Sequence, residues 1–183
     1  MTDLTPETLR QLLRYEPNTG RMFWLPRPVS MFRDGLQSAS QNQAAWNGRY
    51  AATEAFAVLD GKGYLSGKIF GRRYSAHRVI WAIMTGAWPD DEIDHINGVR
   101  THNYWTNLRE ATVSENRRNV GMRAGNTSGV KGVYWHKAAR KWVAQIMVDK
   151  RHRHLGYFLE ITDAAAAYAK ASEELHGEFG RTA

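Results

Sequence analysis

No cysteine occurs among the 183 residues, which excludes a disulfide framework and any zinc centre built on thiolates. Long apolar runs are missing too. No stretch approaches the length that spans a bilayer, and the opening Met1-Thr2-Asp3-Leu4 lacks the basic-then-apolar order of a secretion signal. A cytoplasmic protein with no membrane partner is the expectation. Acidic residues are scarce in one segment above all: between Arg117 and Arg153, ten Lys or Arg stand against Asp149 alone. The whole chain carries a formal net charge of +7, so the rest of it is slightly acidic. A uniformly solvated surface does not concentrate charge in this way, whereas a face that meets phosphates does.

What is present points to chemistry in the middle of the chain. Glu92 to Ile96 alternates apolar and polar residues as a short strand does, Asn97-Gly98 marks a turn, and Leu108 to Thr112 predicts a returning strand. Thr112, with Glu115 three residues on, has the spacing of a capping box, so a helix is predicted there with Asn116 in its first turns. In that strand, loop, strand, helix unit, Asp94 and His95 leave one strand side by side and Asn116 is expected to face them. Hydrolysing a phosphodiester takes a base for the attacking water and a cation for the charge on phosphate and leaving oxygen. An imidazole such as His95 titrates near neutrality. A hard cation such as Mg²⁺ accepts one or two protein oxygens of the kind that Asp94 and the Asn116 amide offer, with substrate and water filling the rest. These residues read as a small metal-dependent nuclease site.

The run Asp94-His95-Ile96-Asn97-Gly98, Asn107-Leu108-Arg109 and Glu115-Asn116-Arg117 resembles the HNH endonucleases of the phage homing type, in the variant with Asn in place of the last His. The resemblance implies a ββα-metal core in which Asp94 and Asn116 hold Mg²⁺, or another divalent cation such as Mn²⁺. It implies that His95 activates water and that Asn107 braces the loop positioning His95. Double-stranded DNA follows as the substrate, with 5′-phosphate and 3′-hydroxyl ends as products. A monomer would nick and a homodimer could cut both strands; for a phage protein the compartment is the host cytoplasm. His77-Arg78, opening a helix upstream, fits the same family, and His77 itself reads as a structural histidine. The loop departs from it, with Thr101-His102-Asn103-Tyr104-Trp105 where the family usually has Asp-Asn-Arg.

Ahead of this unit, Thr5-Pro6-Glu7 predicts a helix capped by Thr5 with Leu9, Leu12 and Leu13 buried, and Tyr15 to Trp24 predicts a hairpin around Asn18-Thr19-Gly20. Pro26 to Trp46 shows no period and is predicted as an irregular loop. Gly63 to Phe70 and Arg72 to Ser75 predict a hairpin closed at Gly71. Ala76 to Thr85 predicts a helix with Val79, Ile80, Ala82 and Ile83 as its apolar stripe, ended by Gly86. After the helix that carries Asn116 comes a basic linker, where Arg117, Arg118 and Arg123 are candidate phosphate contacts.

Gly132 to His136, Trp142 to Val148 and Arg153 to Phe158 predict three strands. Thr162 is expected to cap a helix from Asp163 to Leu175, whose alanines suit close packing on a sheet with Trp135 and Trp142 in the core. Ser128 to Val133, Lys141 to Ile146, Leu155 to Phe158 and Ala164 to Tyr168 resemble the Apetala-type DNA-binding domain of plant ethylene-response factors, over nearly all of residues 128–179. That resemblance implies a sheet in the major groove. Lys131, Tyr134, His136, Gln145, Met147, His152 and His154 match its reading positions, with Lys137 and Arg140 in the first turn. Most differ in type from the plant consensus, so the plant target sequence does not transfer.

The expectation is therefore an α+β chain with a helix and hairpin cap at 1–60, a ββα-metal nuclease at 61–120 and a linker at 121–127. A domain of three antiparallel strands packed on one helix, at 128–183, would bind DNA. Its function would be that of a metal-dependent DNA endonuclease, the alternative being a non-catalytic DNA-binding regulator with a decayed nuclease fold.

Overall fold

The computed structural model describes residues 4–122 and 124–182. The chain divides into two compact units, Met1–Glu110 and Ala111–Ala183. Each has its own apolar core, and the architecture is α+β with small antiparallel sheets.

In the first unit α1 (Pro6–Leu12) starts where Thr5 Oγ1 accepts the Thr8 N–H at 3.2 Å. Pro6 sits where a helix needs no donor. Strands β1 (Leu13–Glu16) and β2 (Arg21–Trp24) pair antiparallel, with Tyr15 opposite Met22, and β3 (Glu54–Ala55) adds to β2. The segment expected to be irregular holds a 12-residue helix, α2 (Ala39–Tyr50). Its Ser38 and Gln41 form a reciprocal capping box, yet none of its residues is buried. A helix with no apolar stripe has no 3.6-residue period to betray it. Its anchor is aromatic: Trp46 meets Trp24 edge-on at 5.7 Å, and the Arg27 guanidinium lies 3.9 Å over the Trp46 ring.

A second sheet follows in the order β4 (Val58–Leu59), β5 (Leu65–Ile69), β6 (Arg72–Ser75). Helix α3 (Ala76–Thr85) buries Val79, Ile80 and Ala82 and ends on Gly86, whose φ of 82° suits a residue without Cβ. Strands β7 (Glu92–His95) and β8 (Leu108–Ala111) form a two-stranded sheet. Leu9, Leu12, Met22, Ile69, Ile80, Ile93 and Leu108 belong to one core cluster. The N-terminal segments are therefore part of the body that holds β7. Each fully buried side chain of this size contributes about 1.5–3 kcal/mol relative to exposure.

In the second unit, α4 (Val113–Arg118) opens on the capping box expected of Thr112 and Glu115. Strands β9 (Val133–His136), β10 (Lys141–Val148) and β11 (Arg151–Phe158) form an antiparallel sheet with β10 in the centre. Helix α5 (Ile161–His176) covers one face, setting Ala164, Tyr168 and Ala171 against Val133, Ala144 and Ile146. Thr162 is not its cap. The helix begins at Ile161 with Glu160 in the N-cap position and no side-chain cap bond, which leaves Thr162 inside the first turn. Trp142 packs on the core as expected, but Trp135 is 45% exposed. It stands on an edge strand, edge-on to Trp142 at 5.2 Å, outside the core cluster.

Strand β11 carries a bulge. Ala144 pairs with Gly156 and Gln145 with His154, so Leu155 is an extra residue. Counting back in twos from Tyr157 would turn His154 and His152 toward the helix. The bulge reverses that parity. Tyr134, Val143 and Tyr157 form one cross-strand row, and Gln145 with His154 and Met147 with His152 continue it on the face away from α5.

Candidate functional site

Ile93, Asp94 and His95, at the end of β7, are all buried. A carboxylate taken out of water costs several kcal/mol unless it is paired. Arg109, on the neighbouring strand β8, supplies the partner. Its Nε donates to Asp94 Oδ2 at 2.9 Å, and its Nη2 lies 2.9 Å from the same oxygen.

His95 is enclosed by rings and a loop. Its Nε2 lies 2.9 Å from Asn103 Oδ1, and the His77 and Tyr64 rings stand 5.2 and 5.8 Å away. Asn107 ties the two ends of the intervening loop together. Its Oδ1 accepts the Asn97 N–H at 3.0 Å, and its Nδ2 donates to Asn97 Oδ1 at 3.1 Å and to the His102 carbonyl at 2.7 Å. The Asn107 carbonyl accepts from Ile96 N–H, the residue after His95.

Burial holds the His95 imidazole below its ordinary value. The bond to Asn103 and the Asp94 charge oppose that shift, while Arg100 and His102 add to it. The ring is therefore neutral around neutral pH, the state in which an imidazole accepts a proton. His77 is pushed much further. Burial first, then His95 and Arg78, lower it to about 3 against the weak pull of Asp60. In the unfolded chain its value is the ordinary 6.5, so as pH falls below that the unfolded state gains a proton that the folded state refuses. Stability is accordingly lost on acidification, about 1.5 kcal/mol from this residue between about pH 6.5 and 5. Urea unfolding at the two pH values should show that loss, and His77→Phe should remove this part of it.

Asn116 lies half-buried in α4 within the second unit, its backbone N–H bonded to the Thr112 carbonyl at 3.0 Å. Among the described residues no group of three or more His, Cys, Asp or Glu side chains is gathered as a metal-binding cluster. The donor set expected of Asp94 and Asn116, a carboxylate and an amide oxygen, needs none, because a small hard cation takes its remaining ligands from substrate and water.

Arg117, Lys137 and Arg140 are exposed and Arg118 is half-buried, whereas Arg123 lies outside the described residues. Tyr134, Met147, His152 and His154 are exposed on the open face of the sheet, and His136 and Gln145 are half-buried there. A groove of about 770 Å³ brings Arg117 together with Tyr134, Gln145, Met147 and His152. Lys131 departs from expectation. Its ammonium donates to the carbonyls of Arg118 at 2.8 Å and Val120 at 2.7 Å, so it closes the end of α4 instead of projecting toward a ligand. Burial lowers its pKa. Asn103 and Tyr64 are the site residues that sequence reasoning did not select. Their only signals were the position of Asn103 inside the motif loop and the placing of Tyr64 at the hairpin, and neither has a period.

Comparison with known proteins adds two findings. Residues 74–118 match the HNH endonuclease family, a span that runs from β6 to the end of α4. Protein 3.8 of Escherichia phage T7 is 31% identical over 115 residues, which cover 62% of this chain and 94% of that protein. No solved structure matches the chain.

Proposed function

We propose, from the premise that this chain belongs to the family of Protein 3.8 of Escherichia phage T7 and carries an HNH endonuclease domain over residues 74–118, that it is a metal-dependent DNA endonuclease. The observation that carries the reading is a buried imidazole at the end of β7, beside a buried carboxylate, inside the matched segment. His95 takes the proton of a water molecule as that water attacks the phosphorus in line. The bond to the 3′ oxygen breaks and that oxygen takes a proton from solvent, leaving a 3′-hydroxyl and a 5′-phosphate. Asp94 and Asn116 are the proposed ligands of a divalent cation, Mg²⁺ or Mn²⁺, in a ββα-metal arrangement; bound there, it would neutralise charge on the phosphate and the departing oxygen. Asn107 keeps the loop after His95 closed and so limits the ring's freedom.

Supercoiled plasmid incubated with Mg²⁺ should be nicked, and chelation should stop the reaction. Binding without nicking in any divalent metal would instead mark a DNA-binding protein with a decayed nuclease fold.

The C-terminal unit is assigned to duplex binding, in the manner of the Apetala-type domains, with residues 121–127 as linker and 128–183 as the binding domain. Its open face carries the side chains suited to the major groove: Tyr134, His136, Gln145, Met147, His152 and His154. Exposed Lys137 and Arg140 are the phosphate contacts, together with Arg117 and Arg118. Lys137→Ala and Arg140→Ala should each weaken binding for all sequences and reduce the slope of log affinity against log salt by about one. Fluorescence anisotropy at four salt concentrations measures both effects. Lys131→Ala should act on folding stability instead, because its ammonium already serves two carbonyls.

A further inference from the structure

The geometry points to the N-terminal hairpin as a positioning device for the base: Tyr15 and Gly20 hold Asn103, and Asn103 holds the His95 ring in one tautomer. This rests on the reading of His95 as the proton acceptor. Asn103 is 1% exposed, and its Oδ1 lies 2.9 Å from His95 Nε2. An amide oxygen can only accept, so that nitrogen carries the hydrogen and Nδ1 keeps the lone pair. The tautomer of a histidine is set in this way by the bond its other nitrogen makes.

Asn103 is not held by the loop that contains it alone. The Tyr15 hydroxyl donates to the Asn103 carbonyl at 2.7 Å, and Trp105 N–H donates to the carbonyl of Pro17 in the hairpin turn at 2.9 Å. Gly20, with φ at 75°, lies so near that a Cβ there would stand 2.5 Å from Asn103 C and Tyr104 N. Both are backbone atoms, which cannot swing aside. The close approach requires glycine on steric grounds as well as for its backbone angle. The hairpin and the loop meet across about eighty residues of sequence.

One further detail separates a positioning role from a packing one. Asn103 Nδ2 is buried and has no hydrogen-bond partner among the described residues. An unmet buried donor costs about 1–3 kcal/mol, so the fold uses only half of this amide, the oxygen that faces the imidazole. What an apolar side chain cannot do is accept from the imidazole. Asn103 is therefore a positioning residue that acts through His95.

The experiment uses the 183-residue chain with ¹⁵N-labelled histidine, without metal, to read the His95 tautomer by NMR, alongside nicking kinetics with Mg²⁺. The wild type should show hydrogen on Nε2. Asn103→Ala should give mixed tautomers and a kcat lower by about 10–100-fold with little change in KM, the size expected for a misplaced group. Asn103→Asp, which keeps an acceptor in place, should restore the Nε2–H signature and most of kcat. Tyr15→Phe should lower kcat a few-fold in the same direction. Hydrogen on Nδ1 in the wild type, or wild-type tautomer and kcat in Asn103→Ala, would overturn the proposal. If Asn103→Ala does not fold, the wild-type tautomer and Tyr15→Phe decide: an Nε2–H with lowered kcat supports it, and an unchanged kcat overturns it. An active His95→Ala together with the expected tautomers would defeat the reading of His95 as base while leaving Asn103 as the residue that orients it.

Discussion

His95→Ala is expected to reduce plasmid nicking by about 10²–10⁴-fold, the range that a positioned general base contributes. DNA affinity should stay near that of the wild type, because the exposed cations assigned to phosphate lie in the second unit. The His77 imidazole, 5.2 Å from that of His95, is a poor substitute, because burial lowers it to about 3 and leaves it a weak proton acceptor. Added free imidazole should recover part of the lost rate, since the substitution leaves space where the ring stood. Circular dichroism and urea unfolding would confirm that the variant is folded. A variant that keeps more than about a tenth of the wild-type rate removes His95 from the proton transfer.

Asp94→Ala should fail in two separable ways. Its carboxylate is 4% exposed and pairs with the Arg109 guanidinium, itself 13% exposed. Removing it takes away the carboxylate that faces Nε and Nη2 of a largely buried guanidinium, and breaking one side of such a pair costs about 3–5 kcal/mol. Nicking should vanish as well if the same carboxylate holds the divalent cation. The double variant Asp94→Ala, Arg109→Met removes both charges and should regain most of the stability while remaining inactive. Thermal melts and the nicking assay on both variants separate the two roles. Full Mg²⁺-dependent nicking in either variant would take Asp94 out of the proposed metal site.

Much of the fold was legible because local signals agreed with the tertiary structure. Ala76–Thr85 has an apolar stripe and a glycine stop, and Thr112 with Glu115 forms the capping box its spacing implies. The helix Ala39–Tyr50 is not legible in the sequence, although Ser38 and Gln41 stand at capping-box spacing, because it buries none of its residues. Cap signals locate a helix only where a period has already suggested one. Thr162 misleads in a related way: a good capping residue lies two positions past the N-cap of a helix that begins without a side-chain cap bond.

The elements that carry or adjoin the proposed site residues Asp94, His95, Asn107 and Asn116 could be read from the sequence, since strand, turn and capping signals place those elements. The interactions around His95 could not. Tyr15 and Gly20 reach Asn103 from far along the chain, and Arg109 meets Asp94 across two paired strands. Such contacts have no period. Lys131 shows the same limit from the other side, because a lysine in a basic segment looks like a phosphate contact until its ammonium is seen bonded to carbonyls.

The extra residue in β11 bears on how this strand is to be aligned with others. Leu155 lies between two stretches that are each in regular register with β10, and its side chain joins the core. Excising it would leave Gly156 beside Ala144 and His154 beside Gln145, so the outward order of side chains would survive the loss of one position. A kindred strand shorter by one residue can thus display the same surface, and its alignment with this chain calls for a gap at 155 where a residue-for-residue match would put every histidine out of phase.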